Sequence, residues 1–509
     1  MAETIGSTGR IGKRLTPIAR KILFARDLDQ HIEKDLPHIC QIDCAHILML
    51  VECGILSPDP ARKLLKAILR LVESQYAPLH QRSSERGIFL LYEEYLIESE
   101  GAAVGGMLQT GRSRNDLGAT LFRLRLRRHY AQLIHAAFRL QAILLRRGKT
   151  YAETVMPAYT HGQPAEPITF GHYLAGVAEA VRRDIEGLLE AAREIDTCPL
   201  GAAAVAGTPV PINPGRTAAL LGFTRRSSNS IDAVASRDLA LRLLAAMSIY
   251  GATLSRLATD LLQWLTGEFN FLSLPDELVG SSSAMPQKRN PFLLEHVQGR
   301  TASALGSFTS SLAATRNVPF TNSINTGTES VRPMWGALQD ITDASTLLRL
   351  VLAKVQPVPE RMMQRAAESF TNATALAIRL ALEAGMDYRS AHRRVGSAVT
   401  EALAGGMNSF KDLADQNEEL FGLPLNGIDP ASCVRSYRYG GGPASENIQA
   451  LLAQLSKQWS SQRRSVLDQT NRWRAAAAEL ENAVQAFVGP SISPSRTDIT
   501  QIRHKRISS

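Results

Sequence analysis

The feature that most constrains the fold is one very long helical stretch, from about Asn229 to Phe269. Its apolar residues recur at helical spacing, which predicts a single amphipathic helix. At 1.5 Å per residue such a helix spans roughly 50 to 60 Å. Because a helix of that length can bury its apolar stripe only against partners of similar length, the stretch predicts a long-helix bundle.

Other periodic stretches supply partners for this helix. Helices are predicted over 117–148 and 168–195, from Pro291 onward, and over 333–354. Few segments anywhere in the chain alternate with period two, which is the pattern of a half-buried strand. The sequence therefore predicts an all-α protein.

The length of the chain, 509 residues, is too great for one compact core. Two to four domains, or one elongated architecture, are expected. The patterning divides the chain into an N-terminal helical domain, a central long-helix bundle, a smaller C-terminal helical domain and a polar basic tail. These four parts are predicted at 1–111, 112–364, 365–487 and 488–509.

The composition is that of a globular protein in water, with 44% hydrophobic and 21% charged residues. The net charge of +9 does not indicate nucleic acid, because the cations are scattered rather than clustered with aromatic residues. An anionic small-molecule substrate is the better use of this charge. No run of about 18 apolar residues occurs, so no membrane span is expected.

The cysteines indicate a reducing cytoplasm, because they form no CxxC pair and no disulfide framework. They are Cys40, Cys44, Cys53, Cys198 and Cys433. His38 and His46 flank the first two, which is a spacing that could hold a metal. Because all four lie in an apolar helical stretch, a place in the buried core is the preferred interpretation.

The segment GSSSAMPQKRNP, 280–291, is the strongest candidate for chemistry. Asn290-Pro291 reads as an N-cap and first-turn pair, so a small-residue loop is predicted to feed a helix N-terminus. Backbone amides, the helix end and Lys288 then converge where they could hold a carboxylate or an ionised serine. The alternative is a flexible Gly-Ser linker, which has no need of the ordered residues that follow.

Two further loops have an anion-binding character. In QTGRSRNDLGAT, 109–120, Thr110-Gly111 is predicted to form a turn and Asn115-Asp116 to cap a helix. Its donors could face an anion, although a plain capping loop with solvated arginines is the alternative. In MPAYTHGQPAEPITFGHYLAG, 156–176, three prolines predict an irregular segment that fixes Thr160, His161 and Gln163. A Gly/Ala-rich stretch, 198–209, is interpreted as close backbone packing.

Together these loops resemble the argininosuccinate lyase branch of the fumarase/aspartase superfamily. The segment 280–291 matches the signature SSxMPxKxNxxxxE, which Glu295 completes, and the loop 109–120 contains the family motif TGRSRND. YTHGQPAEP is similar to the THLQ–QP motif, with Glu166 in place of the usual Gln. The resemblance covers roughly residues 20 to 470. One departure is Gln109, where the family usually has His.

The resemblance implies a three-domain, all-α homotetramer whose long helices form a shared central bundle. Each active site would take one loop from each of three subunits. The implied reaction eliminates fumarate from an N-substituted L-aspartate through an aci-carboxylate intermediate. No cofactor, metal, nucleic acid or membrane partner is implied.

The resemblance also implies individual roles. Ser282 would be the base, with Ser281 as the alternative because this loop contains one extra serine. Lys288 would stabilise the alkoxide, and His161 paired with Glu295 would assist protonation or bind a carboxylate. The implied substrate contacts are Thr110, Arg112, Ser113, Arg114, Asn115, Thr160, Gln163, Ser283, Met285, Asn290 and Arg332.

The substrate is the open question, because FTNSINTGTESVRP, 320–333, departs from the family pattern YNxDLQEDKEP. The Tyr, Gln and Lys that contact the arginine-bearing half are absent. Ethylenediaminedisuccinate or a similar aminocarboxylate is therefore the predicted substrate, and Arg332 could hold its second succinyl group. The alternatives are argininosuccinate itself and an inactive, crystallin-like structural role.

Overall fold

The computed structural model describes residues 15–84, 86–410, 412 and 427–489. Most of these residues are helical, and the three β ladders each have only two strands. The predicted all-α class is therefore confirmed. Apart from residues 488 and 489, the predicted basic tail lies outside the described residues. Within the four described ranges, no helix combines the length and apolarity needed to cross a bilayer.

The described part of the chain before the first strand contains eight α-helices. They are α1 Pro17–Arg20, α2 Leu28–Lys34, α3 Leu36–Glu52, α4 Pro58–Glu73, α5 Ala77–His80, α6 Ile88–Glu100, α7 Ala102–Gly105 and α8 Arg114–Thr150. A hairpin and the central helices follow: β1 Val155–Thr160, β2 Gln163–Thr169, α9 Phe170–Ala191, β3 Thr197–Cys198, α10 Pro214–Leu220, β4 Arg225–Arg226, α11 Ser230–Ala235 and α12 Asp238–Trp264.

The remaining elements complete the bundle and the C-terminal region. They are β5 Leu272–Ser273, α13 Phe292–Thr315, α14 Met334–Lys354, β6 Gln356–Pro357, α15 Pro359–Glu368, α16 Ala373–Glu383, α17 Tyr388–Ala404, α18 Pro430–Ser436 and α19 Ser445–Val488. Strands β1 and β2 pair antiparallel, as do β5 and β6, whereas β3 and β4 pair parallel.

The centre of the molecule is a bundle of five long helices, α8, α9, α12, α13 and α14. Its core contains fully buried aromatic and aliphatic side chains, among them Phe138, Phe170, Tyr250 and Leu254. Helix α8 has 37 residues. At 1.5 Å per residue it is about 55 Å long, so the bundle is elongated.

The predicted single helix over 229–269 is wrong in detail, because it is broken between α11 and α12. Asn229 caps α11 by accepting hydrogen bonds from the amides of Ile231 and Asp232 at 2.9 and 3.0 Å. Ser236 is extended, and the Arg237 guanidinium donates to the Ser236 carbonyl oxygen at 2.8 Å. The guanidinium satisfies backbone acceptors that helix continuation would otherwise have satisfied.

The segment predicted to be irregular, 156–168, is a β-hairpin. Its prolines are accommodated inside the two strands, where Pro157 lies opposite Pro167 and the register shifts just after Pro157. Helix α9 begins at Phe170 because Thr169 is its N-cap and accepts a hydrogen bond from the amide of His172 at 2.9 Å. That helix ends at Ala191 rather than near Ile195, where a short 3₁₀ helix lies.

The long terminal helix α19 joins the bundle to the N-terminal helices. The indole N–H of Trp459 donates to the Phe138 carbonyl of α8 at 2.9 Å. Farther along, Trp473 donates to the Asp196 carboxylate at 2.6 Å. Near its end, Arg62 of α4 donates to the Phe487 carbonyl at 3.4 Å. The predicted domain boundaries stay a prediction, since α19 packs along all of these elements.

The helix α3 holds the Cys and His residues that suggested a metal. Cys40, Cys44 and His46 are buried there, in the core formed with α4 and α6, so the preferred interpretation of a core position is confirmed for these three. All five cysteines are free. Burial lowers the pKa of His46 to about 3 and those of His38 and His129 to about 4.

The lowered pKa values of these three histidines predict that the folded protein is less stable in acid. An unfolded histidine titrates near pH 6.5, whereas these side chains stay neutral in the folded protein to about pH 4 or below. Unfolding therefore takes up protons below pH 6.5. The stability that these neutral histidines contribute is fully present above that pH and is lost as the pH falls toward 4. Thermal unfolding measured from pH 7.5 to 4.5 should show a falling Tm, and His129→Gln should flatten part of that slope. A Tm that rises over this range would contradict the prediction.

Candidate active site

The predicted loop over 109–116, here termed the first loop because it comes first in the chain, leads into the N-terminus of α8, and Ser113 is the N-cap of that helix. The Ser113 hydroxyl accepts a hydrogen bond from the Asn115 amide at 3.3 Å, and the Asp116 carboxylate accepts one from the Ser113 amide at 3.0 Å. This capping box replaces the predicted cap at Asn115-Asp116, and the helix begins at Arg114 rather than Leu117. Ser113, Arg114 and Asn115 are thus half-buried at the positive end of a 37-residue helix.

Asp116 is a structural residue whose importance the sequence did not reveal. Its buried carboxylate also accepts hydrogen bonds from the amides of Gly201 and Ala203 at 3.0 and 2.9 Å. The Asn115 side chain donates to the Ala204 carbonyl at 2.8 Å. These contacts attach the first loop to the Gly/Ala-rich stretch. A Cβ at Gly201 would lie 2.8 Å from Pro214, so this stretch packs closely, as predicted.

Arg112 does not face solvent, contrary to its predicted role as a substrate contact. Its guanidinium lies 2.5 Å from the Asp43 carboxylate, and only 1% of the Arg112 side chain is exposed. The partner lies on α3, far away in sequence, so the motif alone could not identify this ion pair. Thr110, next to it, is half-buried, and Arg114 lies 3.3 Å from the Glu93 carboxylate.

The hairpin places His161 at its tip. The turn between Thr160 and Gln163 consists of His161 and Gly162, whose φ angles are +53° and +74°. Two consecutive positive φ values are typical of a tight type I′ turn. Thr160, His161 and Gln163 are all exposed, so the hairpin presents them to solvent. Burial and the nearby Glu166 charge raise the pKa of Tyr437, which belongs to the structure around this hairpin.

The segment 280–291, here termed the serine loop, is closed by an antiparallel bridge between Gly280 and Asn290. The two N–H···O distances are 2.8 and 2.9 Å. Asn290 is therefore not a helix cap: Pro291 occupies that position and α13 begins at Phe292. The Ser282 hydroxyl accepts hydrogen bonds from the amides of Met285 and Ala284 at 3.1 and 3.4 Å. These amides already point at the oxygen that would carry charge if Ser282 ionised.

The rest of the serine loop is largely exposed. Ser281, Ser283, Met285 and Lys288 are all exposed. Arg289 anchors the loop to the segment that precedes it, because its guanidinium contacts the Asp276 carboxylate and donates to the Leu274 carbonyl at 2.7 Å. Next to the loop, a surface groove on α13 is lined by Phe292, Glu295, His296, Gly299, Arg300 and Asp340.

Within one chain, the first loop is far from the hairpin and from the serine loop. The first loop lies at the start of α8 and the hairpin follows its end, so about 55 Å of helix lies between them. The end of α12 lies beside the hairpin, since the ring centroids of Tyr159 and Phe269 are 5.4 Å apart. The first turns of α13 lie beside the end of α12, where Gln298 donates to Thr259 at 2.9 Å, so the serine loop is at the hairpin end. Among the described residues, no hydrogen bond or ion pair joins His161 to Glu295 within a subunit.

The segment 320–333 lies at the same end of the bundle as the first loop. Directly after it, Trp335 at the start of α14 stacks with Arg125 of α8 at 4.1 Å. Arg332 is exposed and lies 2.9 Å from the Glu329 carboxylate. Phe320 and Ile324 are 69% and 70% exposed, which is unusual for large apolar side chains.

Comparison with known proteins shows strong likenesses over most of the chain. A lyase family model matches residues 82–306. The chain is 36% identical over 487 residues to an argininosuccinate lyase of Methanoculleus marisnigri, covering 94% of this chain and 95% of the relative. It is 31% identical to argininosuccinate lyase 1 of Shouchella clausii, covering 91% and 97%.

Solved structures agree with these relatives. A variant of EDDS lyase with bound fumarate superposes with a TM-score of 0.82 at 29% identity, covering 94% of this chain and 97% of that one. The 3-carboxy-cis,cis-muconate lactonizing enzyme of Pseudomonas putida shares the fold alone, with a TM-score of 0.70 at 17% identity over 87% of this chain and all of that one. Within the described part of the chain, no three His, Cys, Asp or Glu side chains are grouped as a metal site requires.

Proposed function

Because this chain belongs to the argininosuccinate lyase branch of the fumarase/aspartase superfamily and is a carbon–nitrogen lyase, we propose that it eliminates fumarate from an N-substituted L-aspartate. The observation that carries this proposal is the serine loop. Its motif is complete, and two backbone amides already donate to the Ser282 hydroxyl oxygen. A location in the cytoplasm is proposed with it, in accord with five free cysteines.

Proton abstraction is the difficult step, because the Cβ proton of an aspartate is weakly acidic and a neutral serine is a weak base. Ser282 therefore acts as an alkoxide, stabilised by the Met285 and Ala284 amides and by the Lys288 ammonium group. It removes the Cβ proton, and the electron pair enters the neighbouring carboxylate to give an aci-carboxylate dianion. Ser281 is the alternative base.

The carboxylates of the substrate need preorganised donors, since negative charge develops on one of them. Ser113, Arg114 and Asn115 supply these at the N-terminus of α8, and Thr160, Gln163, Ser283 and Asn290 add to them. Collapse of the dianion breaks the C–N bond, and the leaving nitrogen takes a proton. His161, paired with Glu295 across a subunit boundary, assists this proton transfer.

Such a site needs a homotetramer, in which each active site takes loops from three subunits. Support comes from the separation of the first loop from the hairpin by about 55 Å of helix. Further support comes from exposed apolar side chains on the bundle helices: Ile249 is 65%, Leu305 59% and Leu312 43% exposed. Large aliphatic side chains on one long bundle mark a surface that another subunit covers.

Arg112 is omitted from the proposed substrate contacts. Its buried ion pair with Asp43 leaves no exposed donor on the guanidinium. Thr110 and Met285 remain in the proposed set.

The proposed substrate is ethylenediaminedisuccinate or a similar aminocarboxylate, which would give fumarate and N-(2-aminoethyl)aspartate. Segment 320–333 contains no Tyr, Gln or Lys, and its arginine, Arg332, is exposed and able to leave Glu329 for a second succinyl carboxylate. A site lacking the partners of a polar half-substrate discriminates strongly against it. The likeness to EDDS lyase supports this assignment.

Argininosuccinate is the second candidate substrate, favoured by the identity of 36% and 31% to two argininosuccinate lyases. An inactive, crystallin-like role is a third, which the complete serine loop disfavours. Steady-state kcat/KM on argininosuccinate and ethylenediaminedisuccinate, measured side by side, decides between them. We expect ethylenediaminedisuccinate to be preferred over argininosuccinate by at least about 100-fold. Efficient cleavage of argininosuccinate would overturn the assignment, and inactivity on every N-substituted aspartate would favour the third.

A further inference from the structure

Two buried polar side chains on α3, Asp43 and His46, have no part in the chemistry above. Their exposed fractions are 0% and 1%. They are one turn apart on the helix face that meets the first loop. A buried carboxylate and a buried imidazole weaken a core unless their partners repay the desolvation. Their partners show what these side chains do.

Both side chains bind the first loop, on either side of Gly111. The Asp43 carboxylate pairs with the Arg112 guanidinium at 2.5 Å, and the Nε atom of that arginine donates to the Gln109 side chain at 3.3 Å. The His46 Nε2 atom lies 2.9 Å from the Thr110 carbonyl oxygen. Because a carbonyl only accepts, the imidazole must donate from Nε2.

The loop between these two contacts has little freedom. Gly111 has a φ of +74°, and a Cβ there would lie 3.0 Å from Ile212, so this backbone passes close to its neighbour. Ser113, two residues after Gly111, is the N-cap of α8. A shift of the Thr110–Arg112 backbone would therefore move the donors at 113–115 as well.

The protonation state of His46 is constant over the ordinary pH range. Burial, and then the Arg112 charge, lower the pKa of His46 to about 3. The ring is consequently a neutral donor rather than a titrating switch.

We propose that Asp43 and His46 are positioning residues that hold the loop over 110–115 in the conformation that binds the substrate's carboxylate. The inference rests on the proposed function, since it takes this loop to be the carboxylate site. The two contacts flank Gly111, whose φ is positive, and together they fix the direction in which the backbone enters the N-terminus of α8. Displacements of about 1 Å in such positioning groups can change rates by about 100-fold.

The test uses the full-length protein and fumarate as the probe, with binding measured by calorimetry. His46→Leu removes the donor at similar volume, and we expect the Kd of fumarate to rise about tenfold because the Thr110 carbonyl is released. His46→Gln keeps an N–H donor near the Nε2 position and should bind fumarate nearly as the wild type does. This rescue separates loop positioning from mere filling of the core.

A matched control removes a buried hydrogen bond elsewhere. Tyr250→Phe eliminates the contact with Ser345, which is 3.0 Å long and lies in the bundle core. It should lower Tm without changing the Kd of fumarate. If His46→Leu does not fold, Asp43→Asn is the second variant, which retains the shape of the side chain but unpairs the Arg112 charge. It should likewise weaken fumarate binding about tenfold.

The two possible failures can be told apart. If the wild type binds fumarate and releases it from a substrate, but His46→Leu and Asp43→Asn bind it as tightly as the wild type, the inference is overturned and the proposed function stands. If the wild type neither binds nor releases fumarate, the proposed function falls and the inference falls with it.

Discussion

Replacing Ser282 by alanine is expected to lower kcat by about 10³- to 10⁴-fold while leaving the fold intact. The Ser282 hydroxyl is the only side-chain group in the loop that accepts the Met285 and Ala284 amides among the described contacts. Without that oxygen, no group poised as an alkoxide remains to take the Cβ proton. Steady-state fumarate release, followed by ultraviolet absorbance, is the measurement.

Ser281→Ala is the matched variant for this experiment. Ser281 is exposed, and its backbone carbonyl accepts a hydrogen bond from the Asn290 side chain at 3.5 Å. Ser281→Ala leaves that carbonyl in place and should therefore retain most of the activity. Circular dichroism and light scattering on both variants verify that folding and assembly are unchanged. If Ser281→Ala is inactive and Ser282→Ala nearly normal, the base moves by one residue.

The second large effect is a gain of activity on mixing two inactive proteins. His161→Asn and Ser282→Ala should each be nearly inactive as homotetramers. When the two are denatured, mixed and reassembled, random combination should restore the wild-type pair in about a quarter of the sites. This expectation rests on the proposal that each site takes His161 and Ser282 from different subunits.

Light scattering supplies the independent check on assembly. A tetramer is expected, because the exposed apolar residues Ile249 and Leu305 on the long helices need a partner surface. A mixture that regains no activity although it forms mixed tetramers would place both residues in one subunit. A monomer in solution would remove the basis for a composite site.

The sequence predicted the bundle and its chemistry-bearing loops because both are encoded locally. Helical periodicity identified the long helices, and the order of residues in the serine loop identified its helix junction at Pro291 within one residue. The break at Ser236 and Arg237 was missed because it has no proline or glycine. It depends on a guanidinium that folds back onto the backbone.

Other features depend on contacts that local patterns do not contain. Three prolines predicted an irregular segment, yet they fit a two-stranded ladder whose turn tolerates positive φ at His161. Arg112 read as a free cation because its partner Asp43 lies on another helix. The first loop and the hairpin lie at opposite ends of α8, so a single chain does not bring these two parts of the proposed site together.

The most direct test of the central claim is to run the reaction in reverse in D₂O. The protein is incubated with fumarate and ethylenediamine, and the products are followed by proton NMR. The serine exchanges its proton with solvent deuterium and delivers it to Cβ, while the amine adds from the opposite face. The product should therefore be N-(2-aminoethyl)aspartate. That product should carry one deuterium at a single stereochemical position on Cβ, and Ser282→Ala should give almost none. Deuterium scrambled between both Cβ positions, or no adduct with this or any other amine, would contradict the account.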